Sequence, residues 1–160
     1  PDGCDVLQGV PSGRRRTVAI VISRFNASIT NRQLATALAE LEAAGTPRDA
    51  VLVMPVPGAF ELPLAAMALA KTRRYACIVA LGCVIRGETP HFDFIAGEAA
   101  SGLQLAAIET GVPVSFGVLT TDTVEQAMDL LVPWIQAMNI EDRIEASGSS
   151  IRRIPVSLGK

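Results

Sequence analysis

The sequence predicts a doubly wound α/β protein, built on a mainly four-stranded parallel sheet with helices on both faces. Short apolar runs rich in β-branched residues alternate along the chain with longer segments of helical periodicity, an order typical of a parallel sheet. The strand runs are apolar nearly throughout, as strands buried on both faces are. Apolar residues make up 49% of the 160 residues and charged residues only 19%, against about 25% in typical domains. We therefore expect one domain with much buried surface.

The first strand and helix follow residue 16. Thr17–Ser23 (TVAIVIS) is a β-branched apolar run and predicts a strand. Asn31–Ala44 predicts a helix that ends before Gly45. One apolar face of this helix is formed by Leu34, Leu38 and Leu41.

The next two strands and helices repeat this order. Ala50–Pro55 predicts the second strand, and Phe60–Ala70 predicts a helix that admits Pro63 only in its first turn. Ala76–Gly82 predicts the third strand. Asp93–Thr110 predicts a long helix that ends before a Gly-Val-Pro turn.

The fourth strand and helix complete the pattern. Val114–Leu119 predicts the strand, and Asp122 with Glu125 forms a capping-box-like start to the helix. The repeated order predicts a flavodoxin-like arrangement, in which ligands bind beyond the carboxyl ends of the strands. We therefore expect a site in the loops at residues 24–30, 56–61, 83–92 and 120–123.

We interpret residues 1–160 as one domain with two atypical ends. Residues 1–16 are polar and Gly-rich, contain the basic cluster Arg14–Arg16, and predict a solvated N-terminal arm. The composition changes abruptly near the other end, where Ser147–Ser150 (SGSS) is typical of a flexible linker. We therefore expect residues 147–160 to form a flexible tail.

The composition argues against several classes of function. A net charge of −2 disfavours a nucleic-acid binder, because such proteins neutralise phosphates with Lys and Arg. One His and three Cys exclude a dedicated zinc cluster, and we expect no metal. Tyr75–Ile85, the longest apolar run, is too short to span a membrane, and the first residues lack the pattern of a signal peptide. Cys77 and Cys83 lie in apolar runs, which indicates reduced thiols and a cytoplasmic location.

The loop Gly82–Thr89 (GCVIRGET) is the first candidate for chemistry. Its glycine spacing is that of a phosphate loop, but Glu88 stands where nucleotide hydrolysis requires Lys. Backbone N–H groups near a helix start can still hold a phosphate, and the alternative is an ordinary glycine turn. His91 follows as the only His of the chain, and a group that titrates near neutral pH suits proton transfer. Asp93 either orients that ring or caps the next helix, and the sequence favours the cap.

Two further loops carry weaker signals. Phe25 follows the first strand, where an aromatic ring either joins the core or stacks on a planar ligand. Glu61 begins a helix, where carboxylates are favoured for electrostatic reasons alone, but it could also accept hydrogen bonds from ligand hydroxyls. Each signal is weak by itself.

Taken together, four motifs resemble the lumazine synthase family. They occur in the family's order and spacing across roughly residues 17–128, and the joint match is far more specific than any one motif. The motifs are SRFN (23–26), VPGAFELP (56–63), GCVIRGETPHFDF (82–94) and GVPVSFGVLTTDTVEQA (111–127).

The resemblance implies a reaction without metal or organic cofactor. The family condenses 5-amino-6-ribitylaminouracil with 3,4-dihydroxy-2-butanone 4-phosphate, which gives 6,7-dimethyl-8-ribityllumazine, phosphate and water in the penultimate step of riboflavin biosynthesis. His91 matches the proton-transfer residue, and Arg86, Gly87, Glu88 and Thr89 match the phosphate turn. Substrate contacts are implied for Phe25, Asn26, Ala59, Phe60, Glu61, Val84, Ile85 and, from a neighbouring subunit, Phe116.

The sequence departs from the family after residue 128. Leu130 occupies the position of an Arg that the family uses for phosphate, Met138 occupies that of a Lys, and Pro133 interrupts the predicted helix. The alternative hypothesis is therefore a non-catalytic, ligand-binding or shell-forming relative with an impaired phosphate site. An unrelated flavodoxin-like binding module would require the four ordered motifs to be a coincidence.

The resemblance also implies a homo-oligomer. The family forms pentamers, some of which assemble into 60-subunit icosahedral shells, and the sequence does not decide between the two. The segment around Val6–Val10 matches one that adds to a neighbour's sheet. Riboflavin synthase is a candidate partner.

Overall fold

The computed structural model describes residues 5–8, 17–137 and 152–155. These residues form two sheets and four α-helices. Two short 3₁₀ helices lie at Arg48–Ala50 and Ala59–Glu61. The strands are β1 Asp5–Gln8, β2 Val18–Ser23, β3 Val51–Val56, β4 Cys77–Ile85, β5 Val114–Thr121 and β6 Arg152–Pro155. The helices are α1 Ala27–Ala43, α2 Leu62–Lys71, α3 His91–Thr110 and α4 Val124–Ala137.

The main sheet has the order β3-β2-β4-β5, and all its strand pairs are parallel. The order reverses between β2 and β4, as in a flavodoxin-like sheet, where the switch point opens a crevice at the carboxyl edge. The predicted fold class is therefore confirmed.

The core lies on both faces of this sheet, because successive residues of a strand point to opposite faces. In β2, Ala19 and Val21 pack with α2 and α3, whereas Val18, Ile20 and Ile22 pack with α1. A third apolar cluster joins α1 and α4 to the ends of β4 and β5. The six residues of β2 are all buried, which explains the unbroken apolar run.

Several element ends differ from those predicted. β4 continues past Gly82 to Ile85 because β5 pairs with it as far as Thr121. α1 begins at Ala27, where the backbone carbonyl of Asn26 accepts hydrogen bonds from the next turn. Pro63 lies in the first turn of α2, as predicted.

Two of the predicted helix caps are wrong. α3 begins at His91, so Asp93 lies inside its first turn and makes no cap. The start of α4 is closed by Thr123 and Gln126, whose side chains accept hydrogen bonds from each other's backbone N–H at 3.2 and 3.3 Å. Asp122 turns to Arg86 instead.

The departure near Pro133 leaves the helix in place, because α4 runs from Val124 to Ala137. At the chain ends, β1 pairs antiparallel with β6. The other residues of the predicted arm and of the predicted tail lie outside the described residues, and so does Met138. Among the helices of the described ranges, none is long and apolar enough to cross a membrane.

Candidate active site

A cavity of about 460 Å³ opens at the carboxyl edge of the main sheet. Three of the four loops expected to form a site line it, those that follow β2, β3 and β4. The lining residues are Phe25, Pro57, Gly58, Ala59, Phe60, Glu61, Cys83, Val84, Ile85, Gly87, Thr89, His91, Phe92 and Ile95.

The turn after β2 presents Phe25 to this cavity. The Phe25 N–H donates to the Ser23 hydroxyl at 3.1 Å, and the Arg24 N–H donates to the Val56 carbonyl at 2.8 Å. Asn26 has a left-handed backbone with φ 58°, a conformation that Asn tolerates better than most residues. These contacts fix the backbone, while the Phe25 ring itself is 68% exposed. The ring therefore lies at the cavity and is not a core residue.

The segment after β3 positions Glu61 by a backbone contact. The Gly58 N–H donates to Glu61 Oε2 at 2.9 Å, so the carboxylate is oriented through one oxygen. A Cβ at Gly58 would lie 3.2 Å from that oxygen, a tight contact that would shift the carboxylate by a few tenths of an ångström. Ala59 is buried, and Phe60 is 56% exposed at the mouth of the cavity.

The end of β4 forms an apolar wall. Val84 and Ile85 are half-buried, and Cys83 is buried. Burial raises the pKa of the Cys83 thiol to about 11. Because the thiolate is the nucleophilic form, Cys83 is protonated and inert at neutral pH.

The start of α3 forms the polar end of the cavity. Gly87, Thr89 and His91 line the cavity, and His91 is the first residue of the helix. The first N–H groups of a helix have no intrahelical acceptor, so this end attracts anions. The exposed imidazole of His91 therefore lies beside a surface suited to a phosphate.

Comparison with known proteins agrees with this geometry. Residues 15–132 match the 6,7-dimethyl-8-ribityllumazine synthase family. The chain belongs to this family. The synthase of Edwardsiella ictaluri (strain 93-146) is 52% identical over 124 residues, which are 77% of this chain and 80% of the relative. That of Nitratidesulfovibrio vulgaris (strain DSM 19637 / Miyazaki F) is 50% identical over 123 residues, 77% and 79% of the two chains. The resemblance predicted from the four motifs is confirmed.

Four residues that the lumazine synthase motifs single out do not line the cavity of this subunit. Asn26 supports it from behind, since its Nδ2 donates to the Cys83 carbonyl at 2.9 Å. Glu88 is exposed. Phe116 lies in the middle of β5 opposite Ala80, half-buried against the core. The fourth is Arg86.

Arg86 is held by two carboxylates. Its Nε donates to Asp122 Oδ1 at 2.7 Å, and its Nη1 donates to Asp93 Oδ1 at 3.3 Å. The guanidinium carbon lies 4.2 Å from the centre of the Phe92 ring. The hydrogen bond to Asp122 raises the pKa of Arg86 further above its ordinary value. Arg86 lines a second groove, together with Phe92, Thr120, Thr121, Asp122, Gln126, Asp129 and Leu130.

Five residues that line the cavity are not among the site residues predicted from the sequence: Pro57, Gly58, Cys83, Phe92 and Ile95. A Pro-Gly pair is typical of an ordinary turn, and Cys83 lies in an apolar run. Phe92 and Ile95 lie three residues apart on α3. That spacing places two side chains on one face of a helix, a signal that could have joined them to His91.

Proposed function

We propose that this chain condenses 5-amino-6-ribitylaminouracil with 3,4-dihydroxy-2-butanone 4-phosphate, giving 6,7-dimethyl-8-ribityllumazine, phosphate and water. The observation that carries the proposal is the convergence of Phe25, Glu61 and His91 on one cavity in a chain of this family. The reaction is the penultimate step of riboflavin biosynthesis. It needs no metal or organic cofactor.

The pyrimidine substrate binds in the apolar part of the cavity. Its ring stacks on Phe25, which is exposed and held by its turn, and contacts Val84 and Ile85. Glu61 accepts a hydrogen bond from a ribityl hydroxyl, because a carboxylate makes strong hydrogen bonds of this kind. Ala59 and Phe60 close this side of the pocket.

Chemistry takes place where the two substrates meet, near His91. The primary amine attacks the ketone carbonyl and one water leaves. Phosphate is then eliminated, and the second amine closes the ring on the remaining carbonyl with loss of a second water. Each step moves a proton, and a positioned His can supply roughly 10²–10⁴-fold by proton transfer. Holding two substrates in register contributes further, about 7–11 kcal/mol in well-oriented systems.

The phosphate end depends mainly on backbone groups within one subunit. None of the side chains described around the cavity is Lys or Arg, and Arg86 is held by Asp93 and Asp122. Gly87, Thr89 and the first N–H groups of α3 remain as phosphate contacts, with Glu88 beside them. Leu130, which replaces the family Arg, lines the second groove.

The test is to mix the two substrates with the purified protein and follow the product by its absorbance and fluorescence. We expect turnover, and we expect His91→Ala to slow it by about 10²-fold through loss of proton transfer. His91→Gln, which keeps a polar side chain of similar reach, should be impaired in the same way. A parent protein that binds the pyrimidine but forms no product would instead support the non-catalytic relative.

The assembly and location of the enzyme complete the proposal. We propose a homo-oligomer, a pentamer or a 60-subunit shell, in which Phe116 completes a neighbour's cavity and riboflavin synthase is a candidate partner. The exposed apolar side chains of α3 support an oligomer. We place the enzyme in the cytoplasm, supported by the burial of Cys77 and Cys83 in the core, a setting typical of reduced thiols.

A further inference from the structure

One aromatic residue belongs to both the candidate active site and the second groove. Phe92 lines both depressions, so it is a wall that they share. On the side of the groove, the Arg86 guanidinium lies 4.2 Å from the centre of that ring. Whatever fixes Arg86 therefore also supports one wall of the cavity.

Arg86 is fixed from three directions. Its backbone N–H donates to the Thr121 carbonyl at 2.9 Å, which ties the end of β4 to the end of β5. Its side chain donates to Asp122, in the loop after β5, and to Asp93, in the first turn of α3. The guanidinium thus joins segments that are 36 and 7 residues away along the chain.

We propose that Arg86 is a positioning residue, which holds Phe92 and the first turn of α3, and with them His91, in the geometry that the reaction needs. This inference rests on the proposed function and deepens it. Arg86 then acts on the substrates only through the wall and the helix that it supports.

The charges around Arg86 argue against direct phosphate binding. Two carboxylates already pair with its guanidinium, and Asp129 lines the same groove. A phosphate dianion at Arg86 would be repelled by these carboxylates. Each ion pair is partly exposed, with side-chain exposures of 45% for Arg86, 61% for Asp93 and 66% for Asp122. Single exposed pairs are weak, so the support comes from the network and the ring contact together.

The contacts of Arg86 depend on the planar shape of its guanidinium group. Arg presents rigid, diverging donors and stacks on aromatic faces, whereas Lys is a flexible point charge. Lys at position 86 would keep the positive charge but could not span Asp122 and Asp93 while covering Phe92. Arg86→Lys therefore separates geometry from charge.

The experiment compares the parent with Arg86→Gln, Arg86→Lys and Asp122→Asn. Arg48→Gln is the matched control, because Arg48 also pairs with a carboxylate, Glu42 at 3.4 Å, but at the opposite edge of the sheet. For each variant we would measure kcat, both KM values, inhibition by inorganic phosphate, and amide hydrogen exchange at residues 95–98, whose N–H groups donate to the carbonyls of the first turn of α3. Exchange reports on the first turn of α3 whether or not the protein is active.

We expect Arg86→Gln to lower kcat by roughly 10- to 100-fold, since small misplacements near reacting groups have effects of this size. Exchange at residues 95–98 should speed up, and phosphate inhibition should change by less than about threefold. Arg86→Lys should fail to restore kcat, Asp122→Asn should shift both readouts in the same direction, and Arg48→Gln should resemble the parent.

Two results would overturn the inference. Phosphate inhibition weakened tenfold or more, with unchanged exchange, would make Arg86 a phosphate ligand. Unchanged exchange and unchanged kcat would make it a surface residue without a role. Failure of the proposed function is a separate result. A parent without turnover, in which exchange at residues 95–98 still depends on Arg86, would retain the support of α3 and refute the reaction.

Discussion

The side chains proposed to bind substrate are oriented by small polar contacts to the backbone. The Phe25 N–H donates a hydrogen bond to the Ser23 hydroxyl, and the Asn26 side-chain amide donates one to the Cys83 carbonyl. The Gly58 N–H donates one to the Glu61 carboxylate. A hydrogen bond of this kind has a modest net effect on stability, about 0.5–1.5 kcal/mol. Its effect on function is larger, because it fixes where an exposed ring or carboxylate points before any substrate arrives.

Phe25 offers the clearest test of binding at the residue scale. Phe25→Ala should weaken binding of a ribityl-pyrimidine analogue by about 5- to 150-fold, which corresponds to the roughly 1–3 kcal/mol of a base–aromatic stack. Val124→Ala is the control, since Val124 is also an exposed apolar residue, at 50%, but does not line the cavity. Titration calorimetry would measure both. Equal affinities for the two variants would mean that the pyrimidine does not stack on Phe25.

The buried thiol of Cys83 predicts a pH dependence of stability. Its pKa is raised to about 11 in the folded protein, whereas an exposed thiol ionises near 8.5. Between these values the unfolded chain has lost the proton and the folded chain retains it. The contribution of Cys83 to the free energy of unfolding is therefore intact below about pH 8.5 and is lost as the pH rises toward 11, by at most about 1.4 kcal/mol per pH unit.

Urea unfolding of the parent and of Cys83→Ala at several pH values would measure this contribution. The difference in free energy of unfolding between the two proteins should shrink from pH 8.5 to 11 and stay constant from pH 6 to 8. A difference that is flat across the whole range would mean that the thiol ionises equally in both states.

At the scale of elements, the contact between α2 and α3 fixes how closely these two helices pack on one face of the main sheet. A Cβ at Gly102 in α3 would lie 2.6 Å from Cβ and 2.8 Å from Cγ of Pro63 in α2. The proline ring has no alternative rotamer that could move away, so the two helices approach as closely as glycine allows. On the other face, buried Gln33 of α1 donates to the Gly117 carbonyl of β5 at 2.9 Å.

Gly102→Ala should therefore destabilise the fold. Overpacking of a core contact costs about 1–3 kcal/mol, which exceeds the gain of up to roughly 1 kcal/mol in helix propensity. Gly97→Ala is the control on the same helix, because a Cβ there meets nothing within 4 Å, and it should stabilise by roughly 0.5–1 kcal/mol. Urea midpoints give both values, and a Gly102→Ala protein as stable as the parent would show that the helices can separate freely.

At the scale of the whole molecule, the described surface exposes an apolar face on α3. Phe94, Leu105 and Ile108 are 69%, 51% and 71% exposed, and at 100° per residue they lie within about 60° of one another. Leu64 on the neighbouring helix α2 is 75% exposed. Apolar surface concentrated in this way usually marks a protein interface, which agrees with the oligomer that we propose.

Ile108→Glu should weaken that oligomer, because it places a charge in an apolar interface. We expect light scattering to show a smaller particle and turnover to fall with it, as the cavities lose their neighbouring subunits. Ile108→Val, which keeps an apolar side chain, should leave both unchanged. A parent protein that is an active monomer would contradict the prediction.

Local patterns were sufficient for most of the fold. Unbroken apolar runs located the four strands of the main sheet, because strands buried on both faces need no polar residues. Helical patterns located the four helices, and the carboxyl ends of the predicted strands located three loops of the cavity. The predicted apolar face of α1 was only partly right: Leu41 is buried, but Leu34 and Leu38 are half-buried beside Ala37, since the sheet meets the helix slightly to one side.

Only the tertiary structure determined which contacts form between segments that are distant in the sequence. The sequence by itself determined the family, the strand and helix order, and the residue types available at the carboxyl edge. It did not determine that Arg86 turns away from the cavity, because its partner Asp122 lies 36 residues along the chain. Nor did the sequence predict that β4 continues to Ile85, because pairing with β5 extends that strand. Periodicity records burial along one element, whereas a side chain's direction is set by charges and hydrogen-bond partners that folding brings together.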